Sequence, residues 1–142
     1  MTTPSQIDRF RHFNRFYTNY LGLLADTMYN SPVSLTEARV LFEMDKVPGS
    51  SARDLRSRLG LDKGYVSRII KGFIRQGWVE TTPSKKDARI KKMTLTDKGA
   101  RLMASLHRQA AGQAQGVLAR LDERTRDRLL AAMADIEGIL VG

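Results

Sequence analysis

Between Gln6 and Tyr29 the residues Phe10, Phe13, Tyr17, Tyr20, Leu24 and Met28 recur at steps of three or four. That is helical period. Phe16, Leu21 and Leu23 widen the stripe beyond what one neighbouring helix covers, so this helix is either central to the fold or faces a second chain. Asn30-Ser31-Pro32 is the expected stop. A second helix opens near Ser34 or Thr36: Ser34-x-x-Glu37 fits a capping box, and Leu35 with Val40 fits a hydrophobic staple around a Thr36 cap. It buries Val40, Leu41 and Met44, and Pro48-Gly49-Ser50 ends it. Ser51-x-x-Asp54 caps a short third helix with Leu55 and Leu59 on its apolar side.

Leu59-Gly60-Leu61-Asp62 is a tight turn whose Asp62 caps a fourth helix, giving the helix-turn-helix pattern. In that fourth helix Val66, Ile69, Ile70, Phe73 and Ile74 form one apolar face, while Lys63, Ser67, Lys71 and Arg75 line the other with Tyr65 and Arg68 at its sides. After Gly77 the period changes to that of strands, at Trp78–Thr82 and Lys92–Leu95. Between them the polar run from Pro83 to Arg89 makes the basic tip of a hairpin, a wing directly after a helix-turn-helix. Thr96 caps a long fifth helix with Leu102, Leu106, Ala110, Ala114, Val117 and Leu121 on a stripe, and a sixth follows Asp122-Glu123 with Leu129, Met133, Ile136 and Leu140. The fold class expected is mainly α with a small β wing.

The chain has 142 residues, 42% of them hydrophobic, enough for one domain with a core and too apolar for a disordered tail. Its formal charge is +9, and the distribution matters more than the total. Lys46 to Lys98 holds 14 Lys/Arg against five Asp/Glu, and the remainder holds ten of each. The whole excess therefore lies in the helix-turn-helix and wing, between two neutral helical ends, as a footprint for a polyanion requires. No run approaches the roughly 18 apolar residues of a membrane span, and Met1–Gln6 has no signal-peptide core, so no membrane partner is expected.

Enzyme chemistry finds no foothold. Cysteine is absent, and His12 and His107 stand in no metal-ligand spacing, so neither a metal nor a cofactor is expected. Phosphate-cradling glycine loops and a nucleophile elbow are missing too.

Double-stranded DNA fits instead. A major groove admits a helix and presents base-edge acceptors to long cationic and hydroxyl side chains. Lys63, Tyr65, Ser67 and Arg68, in the first turns of the fourth helix, are the candidates for the bases. Ser51, Arg53, Lys71 and Arg75 are the candidates for phosphates. At the wing tip Lys85, Lys86, Arg89 and Lys91 suit a minor groove. Asp87 would repel phosphate if free, so it is expected to pair with Arg89 or a helix cation and brace the loop. The other reading of the same charge is a sequence-indifferent architectural protein.

The strings Leu35-Thr36-Glu37-Ala38-Arg39-Val40-Leu41, Leu61-Asp62-Lys63-Gly64-Tyr65-Val66-Ser67-Arg68, Gly77-Trp78-Val79, Asp87-x-Arg89 and Leu95-Thr96-x-x-Gly99, in this order, resemble the MarR family of bacterial transcription regulators over essentially the whole chain. The resemblance implies an obligate homodimer, in which residues 1–33 and 97–142 dimerise and residues 34–96 form a winged helix-turn-helix lobe, all one intertwined unit. It implies a cytoplasmic, nucleoid-associated repressor on a pseudopalindromic operator. It carries base reading onto Ser67 and Arg68, the minor-groove role onto Arg89 and loop bracing onto Asp87. At Gly64-Tyr65 the chain departs from the commoner pattern, where two small polar residues often stand. Ligand-sensing members often bind small, frequently anionic aromatic molecules beside the dimer helices. Arg11, His12, Arg15, Phe16, Tyr20 and Arg39 are the candidates for such an effector pocket, with dimer core and surface ion pairs as the other reading of the same residues.

Overall fold

The computed structural model of the chain describes residues 1–22 and 31–142. Its elements are α1 (Pro4–Leu21), α2 (Leu35–Lys46), α3 (Ala52–Leu59), α4 (Lys63–Arg75), β1 (Val79–Pro83), β2 (Lys91–Leu95), α5 (Asp97–Ala119) and α6 (Glu123–Val141). They fall into two compact units, Met1–Ala104 and Ser105–Gly142. The mainly helical class with one small antiparallel sheet is as expected.

In the first unit the helix starts are set by side chains that satisfy orphan N–H groups. Ser34 caps α2 in a reciprocal box with Glu37, which decides between the two starts open to the sequence. Ser51 and Asp54 do the same for α3, and Asp62 accepts the Tyr65 N–H to open α4. A box the sequence reading overlooked, Thr3 with Gln6, opens α1 behind Pro4. The stop of the first helix also differs. It closes at Gly22, whose φ of 70° is open to glycine at little cost, rather than at Asn30-Ser31-Pro32. Leu23, Leu24, Met28 and Tyr29 lie outside the described residues.

The core of this unit is built from Val40, Leu41 and Met44 of α2, Leu55 of α3, Val66, Ile69, Ile70 and Phe73 of α4, and Val79 and Met93 of the wing. Phe73 and Trp78 meet at 5.9 Å between ring centroids, tilted by 53°. Ile74, expected on the apolar face, is 44% exposed instead. At eight residues beyond Val66 the stripe has drifted past what the core covers, since the helical period is 3.6 rather than 4. In β1 and β2 Val79 faces Leu95 and Pro83 faces Lys91; β1 is displaced by one residue from the expected span, and β2 starts one residue earlier than expected. An unforeseen third segment covers the outer edge of β2: Gly49 N–H donates to the Met93 carbonyl at 3.0 Å, and Met93 N–H to the Ser50 carbonyl at 2.9 Å.

The start of α5 is fastened to the end of α4 and the first wing residues. Thr96 N–H donates to the Trp78 carbonyl at 2.9 Å, its hydroxyl donates to the Gly77 carbonyl, and Lys98 Nζ donates to the Gln76 carbonyl at 2.9 Å. The same hydroxyl accepts the Gly99 N–H, the expected Thr96 cap. Gly99 is required here, because a Cβ would lie 2.0 Å from the Trp78 carbonyl oxygen. In the second unit Asp122 caps α6 through the Thr125 N–H at 2.7 Å, and Arg126 donates to the Leu118 and Leu121 carbonyls at 3.2 and 3.1 Å. The guanidinium thus meets the negative end of α5. No described helix is long and apolar enough to cross a membrane.

Candidate nucleic-acid interface

Helix α4 presents its cations outward because its apolar face is taken by the core. Lys63, Tyr65, Arg68, Lys71 and Arg75 are exposed and Ser67 is half-buried, while Val66, Ile69, Ile70 and Phe73 are buried behind them. Every base-reading candidate therefore stands on one solvent-facing side of a single helix. The Arg68 guanidinium rests over the Tyr65 ring at 5.9 Å.

At the start of α3 the Ser51 hydroxyl oxygen accepts the Asp54 N–H at 3.2 Å and the Ser51 N–H donates to the Asp54 carboxylate at 3.0 Å. Arg53 is exposed beside it. The Asp54 carboxyl is held below its ordinary value, chiefly by the Ser51 backbone N–H, with the Ser51 hydroxyl, Arg58 and Arg53 adding and burial opposing.

In the wing Lys85, Lys86, Arg89 and Lys91 are all exposed. Asp87 accepts from the Arg89 backbone N–H at 3.0 Å and from its Nε and Nη2 at 3.1 Å each. These bonds hold the Asp87 carboxyl below its ordinary range. Of the two partners open to Asp87 in sequence, the structure selects Arg89. The loop closes on itself through Ser84 N–H to the Ile90 carbonyl at 2.8 Å and Ile90 N–H to the Asp87 carbonyl at 3.0 Å. The Arg89 side chain is still 91% exposed, so bracing the loop leaves most of its surface to solvent.

The effector candidates are divided. Arg11, His12, Arg15, Phe16 and Tyr20 are all exposed on α1, with the Phe16 and Tyr20 rings stacked at 6.2 Å. Arg39 lines a shallow groove of about 260 Å³ with Leu35, Thr36, Leu59 and Leu61, a lining that includes none of the α1 candidates. Its guanidinium also lies 5.3 Å from the Phe42 ring centroid and 3.5 Å from Glu43. Among the described residues no group of His, Asp and Glu side chains could hold a metal ion.

Sequence reasoning missed a buried polar cluster behind the interface. Glu43 has a side chain only 8% exposed, and accepts from Arg58 Nε at 3.2 Å. Arg58 Nη2 donates to the Ser50 hydroxyl at 2.6 Å, and Ser50 donates to the Val47 carbonyl at 2.7 Å. The cluster ties α2 to α3 and to the segment covering β2. A signal was present: Glu43 stands three residues after Val40, on the apolar stripe of its own helix.

Comparison with known proteins agrees with this geometry. Residues 31–90, which hold α2, α3, α4, β1 and the wing tip, match the model of the MarR family. The chain is 28% identical over 101 residues, 71% of its length and 70% of the relative's, to the HTH-type transcriptional regulator BilQ of Clostridium symbiosum. Over residues 31–90 the chain is similar to the MarR family. Among solved structures, FabT of Streptococcus pneumoniae in complex with DNA superposes with a TM-score of 0.78 at 17% identity, covering 94% of this chain and 96% of FabT. Staphylococcus aureus MarR in complex with salicylate and kanamycin superposes with a TM-score of 0.72 at 21% identity, covering 94% of this chain and 91% of that one. At these identities the likeness is one of fold.

Proposed function

We propose that this chain is a DNA-binding transcriptional regulator of the MarR family, a homodimeric repressor that occludes a promoter by binding a pseudopalindromic operator. One observation carries the reading: the solvent-facing side of α4 and the tip of the wing gather exposed cations, while the helix's only capping acid, Asp62, is engaged by the Tyr65 N–H. Lys63, Tyr65, Ser67 and Arg68 meet base edges in the major groove, Ser51, Arg53, Lys71 and Arg75 meet phosphates, and Lys85, Lys86, Arg89 and Lys91 enter or flank the minor groove. Asp87 braces the loop that carries Arg89. The reading is supported by the DNA in the FabT structure, which is similar in fold.

Dimerisation through residues 1–33 and 97–142, around a lobe of residues 34–96, is supported by apolar side chains without cover. Ile7, Phe10, Phe16, Tyr20 and Leu21 on α1 and Leu130, Ile136, Ile139, Leu140 and Val141 on α6 are exposed in the single chain. Leaving so many large apolar groups in water is unfavourable by about 25 cal/mol per Å², and a second copy removes that cost. Such a protein works on the nucleoid in the cytoplasm. Release by a small aromatic acid, through Arg39 or the α1 residues Arg11, His12, Arg15, Phe16 and Tyr20, is supported by the salicylate in the S. aureus MarR structure.

The test is to select bound fragments from the protein's own genome, to footprint the winning site, and to challenge it with a panel of aromatic acids. The expected result is one twofold-symmetric site with half-sites about 10 to 10.5 base pairs apart, bound by a dimer. Equal affinity for all sequences with steep salt dependence would instead make this an architectural protein. A monomer at micromolar concentration would remove the paired reading heads.

A further inference from the structure

The first turns of α4 carry an arrangement that no counterpart with two small polar residues could make. The Arg68 guanidinium lies 5.9 Å from the centroid of the Tyr65 ring, three positions earlier on the helix. Gly64 adjoins it: an added Cβ would come within 3.4 Å of Arg68 Nη1 and 3.3 Å of Asp62 Oδ2. Glycine leaves that space to the guanidinium. Asp62 is occupied as the helix cap, accepting the Tyr65 N–H at 3.2 Å, and among the described residues Arg68 joins no ion pair.

A free arginine on a helix surface samples many rotamers and loses that freedom when it binds. Cation–π attraction to a ring holds the guanidinium without using its N–H donors, which stay available for a planar pair of acceptors. In the major groove the matching pair is N7 and O6 of guanine. We propose that Tyr65 is a positioning residue that holds Arg68 for guanine, and that each half-site of the operator carries a G·C pair where Arg68 meets it. This rests on the proposal that α4 enters a major groove.

The test uses the selected site and duplexes in which each base pair of a half-site is exchanged in turn, titrated by fluorescence anisotropy with the full chain and with Arg68→Ala, Tyr65→Leu and Tyr65→Phe. The readout is the ratio of affinities for two sequences by one protein, so a general loss of binding or folding cancels. The parent is expected to prefer guanine at one position per half-site by about tenfold or more, and Arg68→Ala to erase that preference. Tyr65→Leu should reduce the ratio by about two- to fivefold at that position alone, and Tyr65→Phe should restore it, since the ring rather than the hydroxyl makes the contact. A Tyr65→Leu ratio equal to the parent's, a loss of preference spread over all positions, or a guanine preference surviving in Arg68→Ala would each overturn the assignment. A parent with no preferred sequence would overturn it together with the operator reading, a distinct outcome visible before any variant is made.

Discussion

Replacing Gly99 by alanine offers a severe check on the junction between α5 and the wing. The new methyl would stand 2.0 Å from the Trp78 carbonyl oxygen, 2.9 Å from its carbon and 3.1 Å from its Cα, where ordinary contact begins near 3.4 Å. All three neighbours are backbone, so relief requires the helix start to back away by roughly 1.4 Å. That movement strains or breaks the bonds from Thr96 to the Trp78 and Gly77 carbonyls, each worth about 1 kcal/mol. Overpacking adds about 1–3 kcal/mol, and the better helix propensity of alanine returns about 1 kcal/mol. The net loss is about 2–4 kcal/mol, or roughly 5–15 °C in Tm for a chain of this size. Thermal and urea unfolding by circular dichroism, at one protein concentration, would measure it. Gly72→Ala is the control: its Cβ meets only Arg75 Nη2 at 3.8 Å, so the variant should hold or gain up to about 1 kcal/mol. If Gly99→Ala melts with the parent or above it, the close approach of α5 to Trp78 is wrong.

Arg89→Ala should weaken operator binding roughly tenfold, about 1.4 kcal/mol, and leave Asp87 unpaired near the phosphates. The Asp87→Ala/Arg89→Ala double variant should recover part of that loss in anisotropy titrations, and strict additivity would show that the pair is not coupled. Glu43→Ala removes the acceptor of Arg58 and should destabilise by about 2 kcal/mol in urea, discounted because Arg58 is one-third exposed; no change in the midpoint would deny the cluster a structural role. Asp54 is held below its ordinary value of 3.8, so its contribution is present above that pH and fades as pH falls through the lower folded value. Asp54→Asn should therefore flatten the acid limb of the stability curve below about pH 4 while the limb above it keeps its shape, and an unchanged acid limb would count against the cap.

Local chemistry made much of the fold legible. Ser34-x-x-Glu37, Ser51-x-x-Asp54 and Asp62 announce helix starts because a short oxygen side chain beside orphan N–H groups acts within one turn, whatever packs around it. The cationic side of α4 was legible too, since helical period places Lys63, Lys71 and Arg75 opposite Val66, Ile70 and Phe73. The Gly22 stop was obscured by an apolar pattern that runs on beyond it, and Ile74 by drift of the stripe.

By itself, then, the order of residues determined where helices begin, which face of α4 is greasy and which cationic, and that the excess charge gathers between two neutral ends. Tertiary structure alone decided that Arg58 reaches back fifteen positions to Glu43, that Gly99 presses on Trp78, and that Ser50 lies along Met93. The physical reason is range. Caps and periodicity act over three or four bonded neighbours, whereas these contacts join segments that meet only after the chain has folded, and many pairings are compatible with one linear pattern until packing admits a single one.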